Sequence, residues 1–412
     1  MLPTQDQLHI IRSGGAAIVP EAALAQKLDR GAPLRVKLGV DPTAPDLHLG
    51  HAVPLRKLRQ MQDLGHQVVL IIGNGTALVG DPSGRNSTRP PLTAEEIATN
   101  AQTYVDQAYK ILDKDKTELV WNGDWLTPLD LAQILKLTAH FTVARTLERD
   151  DFSNRYKAQQ PISLHEILYP VMQAYDSVMV RADIELGGTD QLFNLLAGRE
   201  LMEKMDMEPQ VCLTLPLLEG TDGVQKMSKS YGNYIGITDA PDDMFGKVMS
   251  IPDELMPRYF YLASTLPVDE VDRIAAGLED GSLHPNAVKR QLAANIVCAY
   301  HGEQAALEAE AAFNRLHRDK ELPDEIEEVS VALVPNEEGL VYVPGVLMEL
   351  GFAASNGEAR RLIDGGGVKL IRDSDAELVG EPLVTGEYNV AVARLAGAVI
   401  QVGKRKFARI AP

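Results

Sequence analysis

The feature that most constrains the fold is a series of short β-rich segments that alternate with helical patterns. Residues 67–74, QVVLIIGN, are almost wholly apolar, which is typical of a strand buried on both faces of a parallel sheet. Helical patterns separate such segments, as at 92–113, where Thr93 and Glu96 predict a capping box. Alternation of strands and helices indicates βαβ units, so we predict an α/β fold with a parallel sheet. The other predicted strands are LRVKLGV, TELVWN, DIELGG and VCLTLPLL.

The length of 412 residues and changes of pattern along the chain predict several domains. We expect the sheet domain at 1–235. Helical patterns alone follow at 236–320, and residues 321–340 have the acidic, proline-bearing composition of a linker. A small α+β domain is expected at 341–412.

The composition limits the function classes. The net charge of -18 argues against broad nucleic-acid binding, although a local basic surface remains compatible with it. The two cysteines, Cys212 and Cys298, offer neither metal-ligand spacing nor a disulfide framework. No signal peptide and no apolar run of membrane-spanning length is recognisable, so we expect a cytoplasmic protein.

An anion site is indicated by DPTAPDLHLGH at 41–51, which lies between a predicted strand and a predicted helix. Free N–H groups and the helix dipole favour an anion at such a helix start. His48 and His51 are three residues apart and can face the same way, and Gly50 leaves room for a flat ring or a ribose. Two histidines in a turn are more often a surface feature, but the strand–loop–helix context favours a nucleotide site.

A second anion site is indicated by DGVQKMSKS at 222–230. Lys226 and Lys229 lie among small, flexible residues and could close over a polyphosphate. A solvated basic turn is the ordinary interpretation of two such lysines. Here, however, the loop and the histidines would both lie at the carboxyl ends of strands in one sheet, where α/β proteins bind ligands.

A polar helix face is predicted in SLHEILYPVMQAYDSV, where Tyr169, Gln173 and Asp176 recur at i, i+4 and i+7. A partly solvated stripe is the commoner explanation of such a pattern. An interior face with a phenol, an amide and a carboxylate would be costly unless a polar ligand bound there.

These motifs together resemble the class I aminoacyl-tRNA synthetases. HLGH at 48–51 is similar to the family's HIGH signature, and KMSKS at 226–230 matches its second signature letter for letter. The polar helix face, GDPSGR at 80–85 and GGTDQ at 187–191 are similar to tyrosyl-tRNA synthetases in particular.

The resemblance implies a Rossmann-like catalytic domain that uses ATP with Mg²⁺, without a structural metal. It implies that Asp81 and Gln173 hold the ammonium of L-tyrosine beside Tyr169, and that Asp176 accepts a hydrogen bond from the phenol. It further implies that His48, His51, Lys226, Lys229 and Arg85 promote the reaction. The remaining implied ligands are Gln191 and Asn122 in the tyrosine pocket, and Gly39, Asp41, Thr43, Gly50 and Asp190 around ATP.

One position departs from the family pattern. Many members have a tyrosine in the first strand that shares the phenol with the aspartate, whereas this chain has Lys37 there. Lys37 would either pair with Asp176, donate to the phenol oxygen, or point away from the tyrosine site.

The C-terminal module resembles a small RNA-binding domain that is found in a ribosomal protein, in pseudouridine synthases and at the end of bacterial tyrosyl-tRNA synthetases. Ser355 or Asn356 is predicted to cap a helix, and a glycine-rich turn follows it at 365–367. A charged, frayed terminus is the alternative. The basic residues expected to contact tRNA are Arg360, Arg361, Lys369, Lys404, Arg405 and Lys406.

The sequence thus predicts a tyrosine–tRNA ligase that acts through tyrosyl-adenylate, with tRNA(Tyr) as partner and a homodimer implied by the resemblance. Three other classes remain open: a nucleotidyltransferase that shares the histidine motif, a pure RNA-binding protein, and a tryptophan-specific synthetase. The first has no use for the RNA-binding module, the second has no use for the two lysines, and the third has no use for Asp176.

Overall fold

The computed structural model describes residues 1–43, 46–81, 93–315, 326–371, 381–403 and 406–411. The chain forms two compact units, Met1–Glu310 and Ala311–Pro412. Within the described residues, no helix is long and apolar enough to span a membrane.

The first unit is built on a six-stranded sheet with the order β1-β6-β5-β2-β3-β4. Neighbours from β6 to β4 run parallel, and β1 is antiparallel to β6. The α/β class is therefore confirmed, as are five predicted strands; the short antiparallel edge strand β1 was not predicted. The strands are β1 (Ala17–Val19), β2 (Arg35–Val40), β3 (Gln67–Ile72), β4 (Thr117–Trp121), β5 (Ile184–Gly188) and β6 (Val211–Leu215).

Helices cover this sheet and continue beyond it. The apolar segment at 131–146 forms two helices rather than one, because Thr142 is extended and caps the second one. The capping box at Thr93 is present as predicted. The helices are α1 (Thr4–Arg12), α2 (Glu21–Leu28), α3 (Leu49–Asp63), α4 (Ala94–Ala108), α5 (Gly123–Leu126), α6 (Leu131–Thr138), α7 (Val143–Thr146), α8 (Asp150–Lys157), α9 (Leu164–Val180), α10 (Leu192–Lys204), α11 (Pro241–Met249), α12 (Met256–Ala263), α13 (Val268–Glu279), α14 (Pro285–His301) and α15 (Glu303–Asn314).

The second unit has a five-stranded sheet with the order β10-β9-β12-β13-β7 and a separate pair, β11-β8. Strand β7 lies inside the segment predicted as a linker and runs parallel to β13. The predicted boundary at 235 falls within the first unit, so the four-part division stays a prediction. The elements are β7 (Glu328–Val329), β8 (Leu340–Tyr342), α16 (Val343–Glu349), α17 (Asn356–Asp364), β9 (Val368–Ile371), β10 (Glu381–Pro382), β11 (Asn389–Ala391), α18 (Val392–Leu395), β12 (Val399–Val402) and β13 (Lys406–Ile410).

Helix α3 is important for the site because it carries the histidine motif: His48 is its N-cap and His51 lies in its first turn. Its inner face packs into the core through fully buried side chains such as Leu55 and Leu58. Packing of this face therefore fixes the start of the helix relative to the sheet.

We expect Leu55→Ala to lower the free energy of unfolding by about 2–5 kcal/mol, because it leaves a cavity at a fully buried position. Leu307→Ala is the matched control, since Leu307 also lies on a helix but is 58% exposed, and it should change stability by less than about 0.5 kcal/mol. Denaturant unfolding of both variants measures the difference. Equal effects would show that the packing of α3 is misassigned.

Candidate active site

One cavity of about 270 Å³ lies at the carboxyl ends of the central strands. Residues that are far apart in the sequence meet there, because parallel strands end at the same edge of the sheet. Twelve of the predicted site residues line it: Gly39, Asp41, Thr43, Gly50, His51, Asp81, Asn122, Tyr169, Gln173, Asp176, Asp190 and Gln191.

A buried carboxylate, Asp176, forms one end of the cavity. Asn122 Nδ2 donates to its Oδ2 at 3.1 Å, and Trp125 Nε1 donates to its Oδ1 at 2.8 Å. Burial raises the pKa of Asp176 to about 6, although Lys37 and these two donors oppose the shift. Trp125 was not identified from the sequence, because no motif marks it; its position just after β4 and Asn122 was the available signal.

Hydrogen bonds connect this end of the cavity to the loop after β2. The hydroxyl of Tyr169 donates to Asp41 Oδ2 at 2.9 Å, and Thr76 Oγ1 donates to Asp41 Oδ1 at 2.6 Å. Asn122 Nδ2 also donates to Thr76 Oγ1 at 3.0 Å. Burial and the neighbouring carboxylates raise the pKa of Tyr169 well above its ordinary range, so the phenol stays protonated and donates.

Asp81 belongs to a closed ring of four hydrogen-bonded side chains. Gln191 Nε2 donates to Asp81 Oδ2 at 2.8 Å, and Asn194 Nδ2 donates to Gln191 Oε1 at 3.0 Å. The guanidinium of Arg149 completes the ring, with 3.1 Å to Asn194 Oδ1 and 3.5 Å to Asp81 Oδ1. Asn194 and Arg149 were not identified from the sequence; an arginine in a charged helix-start segment carries no sign of its burial.

Lys37 does not contact Asp176 within hydrogen-bonding distance. Its ammonium donates to Glu185 Oε1 at 2.8 Å, to Ser177 Oγ at 2.8 Å and to the carbonyl of Gln173 at 3.2 Å. Of the three alternatives left open for Lys37, the contacts therefore favour the one in which it points away from the tyrosine site. Strands β2 and β5 are parallel neighbours, and Lys37 and Glu185 are in register on them. Lys37 points away from the phenol end, but into the core rather than into solvent.

The two histidines stack with their ring centroids 3.8 Å apart, and His51 Nδ1 accepts from the backbone N–H of His48 at 3.4 Å. Burial, together with nearby positive charge from Lys229, lowers the pKa of His48 to about 3 and that of His51 to about 4. Both rings are therefore neutral at pH 7. Neutral rings of this kind can donate hydrogen bonds to a phosphate.

The basic loop lies against the histidine motif. Backbone bonds join Leu49 N to Ile235 O at 2.9 Å and Ile237 N to Leu47 O at 3.1 Å. Lys229 Nζ contacts Asp46 at 2.7 Å, whereas Lys226 is exposed. The predicted convergence of the two motifs is thus present. Arg85 lies outside the described residues.

Comparisons with known proteins agree with this geometry. Residues 29–318 match the model of the tRNA synthetases class I (W and Y). A protein of Moorella thermoacetica named tyrosine--tRNA ligase is 50% identical over 98% of this chain and 95% of that relative. A Geobacter sulfurreducens protein with the same name is 49% identical over 98% of both chains.

The chain belongs to the tyrosyl-tRNA synthetases. Solved tyrosyl-tRNA synthetases share its fold. The structure from Archaeoglobus fulgidus, complexed with L-tyrosine, has a TM-score of 0.62 at 23% identity and covers 75% of this chain and 99% of that one. A truncated mitochondrial enzyme from Aspergillus nidulans gives a TM-score of 0.62 at 21% identity, covering 76% and 99%.

The second unit of this synthetase presents basic side chains on its surface. Ser355 caps α17, and Arg360 and Arg361 on that helix are exposed. The Arg360 guanidinium lies over the rings of Tyr342 and Tyr388, and its Nε donates to the Tyr342 hydroxyl at 2.8 Å. Lys369 and Lys406 are also exposed, and Lys404 and Arg405 lie outside the described residues.

The hydrogen bond from Trp125 should lower the pKa of Asp176. Trp125→Phe removes an N–H that stabilises the charged carboxylate, so the pKa of Asp176 should rise above about 6. Trp121→Phe is the matched control, because no bond from Trp121 to Asp176 exists among the described contacts. Carbon-13 NMR titration of aspartate carboxyls measures both, and a pKa that is unchanged in Trp125→Phe would contradict the assigned contact.

The raised pKa of Asp176 also determines how the stability of the protein changes with pH. The folded-state pKa of Asp176 lies above the ordinary value, so between about pH 4 and 6 the folded protein binds more protons than the unfolded chain. This group therefore makes the protein less stable as the pH rises through that window.

Proposed function

We propose that this chain is an ATP-dependent tyrosine–tRNA ligase. Asp176 carries the proposal: a buried carboxylate with two N–H donors retains lone pairs that can accept a phenol hydroxyl at the end of a cavity. A tryptophan-specific site would gain nothing from this group, because an indole has its single donor elsewhere on a larger ring system. The relatives named tyrosine--tRNA ligase support the same substrate.

The amino-acid end of tyrosine would lie beside Asp81, Gln173 and Tyr169. The ammonium requires acceptors, which a carboxylate oxygen, an amide oxygen and a phenol oxygen supply. Gln191 and Asn122 line the same cavity.

ATP would lie along the start of α3, where Gly39, Thr43 and Gly50 leave space and the backbone N–H groups favour phosphate. Asp41 and Asp190 would contribute acceptors; burial raises the pKa of Asp190, and nearby Lys226 opposes that shift. Mg²⁺ would accompany the triphosphate as part of the substrate, since it retains water and phosphate ligands in such sites.

Two steps follow from these groups. The tyrosine carboxylate attacks the α-phosphate of ATP and pyrophosphate leaves; a terminal hydroxyl of tRNA(Tyr) then displaces AMP from tyrosyl-adenylate. A carboxylate nucleophile needs no general base, so catalysis rests on orientation and on stabilisation of the phosphoryl charge. We assign this stabilisation to Lys226, Lys229 and Arg85 as cations, and to His48 and His51 as neutral hydrogen-bond donors.

A homodimer forms part of the proposal. Helix α6 has no buried side chain, and its Leu131 and Leu135 are 71% and 60% exposed. Exposed leucines on one helix are typical of a subunit interface. The cytoplasm, the location expected from the sequence, stays a prediction.

We expect Lys229→Ala and His51→Ala each to slow tyrosyl-adenylate formation by roughly 10²-fold or more while weakening tyrosine binding less than threefold, since both side chains are assigned to the transition state. Single-turnover kinetics and calorimetry separate the two quantities. Lys114→Ala, an exposed lysine away from the cavity, is the control. An unchanged single-turnover rate with lost tyrosine affinity would refute the assignment.

A chain ending at Arg315 should still activate tyrosine but lose most tRNA charging, because the site lies in the first unit and the exposed basic residues of the second unit are assigned to tRNA. Pyrophosphate exchange measures the first property and aminoacylation measures the second. Full tRNA charging by the shortened chain would show that the second unit is not needed for the reaction.

In the full chain, Arg360→Ala should weaken tRNA binding and reduce the salt dependence of that binding.

A further inference from the structure

A second buried carboxylate, Glu185 on β5, lies directly behind the cavity wall. It is 1% exposed, and four side chains donate to it. Lys37 Nζ and Gln173 Nε2 reach its Oε1 at 2.8 and 3.0 Å. Ser177 Oγ reaches its Oε2 at 3.1 Å, and Gln210 Nε2 also donates there.

Glu185 determines how the amide of Gln173 is oriented. An ionised carboxylate accepts hydrogen bonds and cannot donate them, so the amide nitrogen of Gln173 must face it. The amide oxygen is then the polar atom that Gln173 can present to the cavity that it lines. An oxygen there attracts an ammonium, whereas an amide N–H₂ would repel it.

Lys37 pairs with the carboxylate oxygen that the Gln173 amide contacts. Its ammonium donates to Glu185 Oε1 at 2.8 Å, and both side chains are almost fully buried. The ion pair therefore holds an acceptor in front of the amide nitrogen of Gln173.

We infer that Glu185 and Lys37 are positioning residues for the amino group of the amino-acid substrate. They act through Gln173, whose oxygen they direct toward the substrate ammonium, and they do not touch the substrate. This inference rests on the proposed function, because it takes the ammonium site from the tyrosine assignment. The inference also assigns a role in the core to Lys37, which stands where many members of the family have a tyrosine.

The test compares ligands with and without the amino group. The probes are L-tyrosine, tyrosinol, which keeps the amine but lacks the carboxylate, and 3-(4-hydroxyphenyl)propanoate, which lacks the amine. The main variant is the double replacement Lys37→Met with Glu185→Met, since exchange of a buried ion pair for apolar side chains of similar volume usually preserves the fold. The single variant Lys37→Met tests whether the cation is needed.

Both variants should bind tyrosine and tyrosinol about tenfold or more weakly by calorimetry, because a hydrogen bond to a charged group is lost. Both should bind 3-(4-hydroxyphenyl)propanoate within about twofold of the parent. Glu118→Gln is the matched control: Glu118 pairs with Arg35 at 2.9 Å in the same sheet but is 39% exposed, and its loss should change none of the three affinities.

Two results would overturn the inference. Unchanged tyrosine affinity in the double variant would show that the pair does not orient Gln173, and equal weakening of all three ligands would show a merely structural role. Unchanged affinities for tyrosine and tyrosinol in Lys37→Met would show that the Lys37 ammonium is not needed to orient Gln173. A parent protein that binds the amine-free probe as tightly as tyrosine would instead refute the ammonium site of the proposed function, before any variant is considered.

Discussion

The site depends on Asp176, a buried carboxyl group whose pKa of about 6 leaves it mostly ionised at pH 7. Burial alone would keep Asp176 protonated, and the pKa of about 6 reflects the opposing N–H donors of Asn122 and Trp125 and the charge of Lys37. These donors come from the end of β4 and from α5, so the carboxylate fixes α9 against the sheet edge as well as forming the end of the cavity. A polar residue of this kind is stable only where each lone pair has a partner, or where a ligand supplies the last one.

The same requirement explains the remaining geometry. Glu185 lies on β5 behind the cavity wall and pairs with Lys37 across two parallel strands. Asp81 pairs with Arg149 at 3.5 Å. Both cations are buried, and none of the described cavity-lining residues is a lysine or an arginine. The proposed function therefore leaves positive charge near the phosphates to the loop at 222–230, whose two lysines are partly or fully exposed.

The sequence predicted the parallel strands, because each is a short apolar run bounded by turn residues, and it predicted the shared face of Tyr169, Gln173 and Asp176 from helical spacing. It did not predict β1, which is three residues long, or the partner of Lys37, which depends on strand order and register rather than on neighbouring residues. Trp125 and Arg149 were missed because no motif marks either residue and the local sequence does not show which contacts they make. The lowered pKa of His48 follows from its burial, which a motif does not contain.

We propose that Asp176 selects tyrosine over other amino acids. Amino-acid-dependent exchange of pyrophosphate into ATP measures this selection. We predict that, among the standard amino acids, tyrosine supports fast exchange and that phenylalanine is rejected strongly, because it would leave the buried carboxylate without its donor. Tyrosyl-tRNA synthetases are the standard example of this effect, at about 10⁵-fold, and that magnitude is taken from the class rather than from this structure. Exchange that is as fast with phenylalanine or tryptophan as with tyrosine would contradict the account.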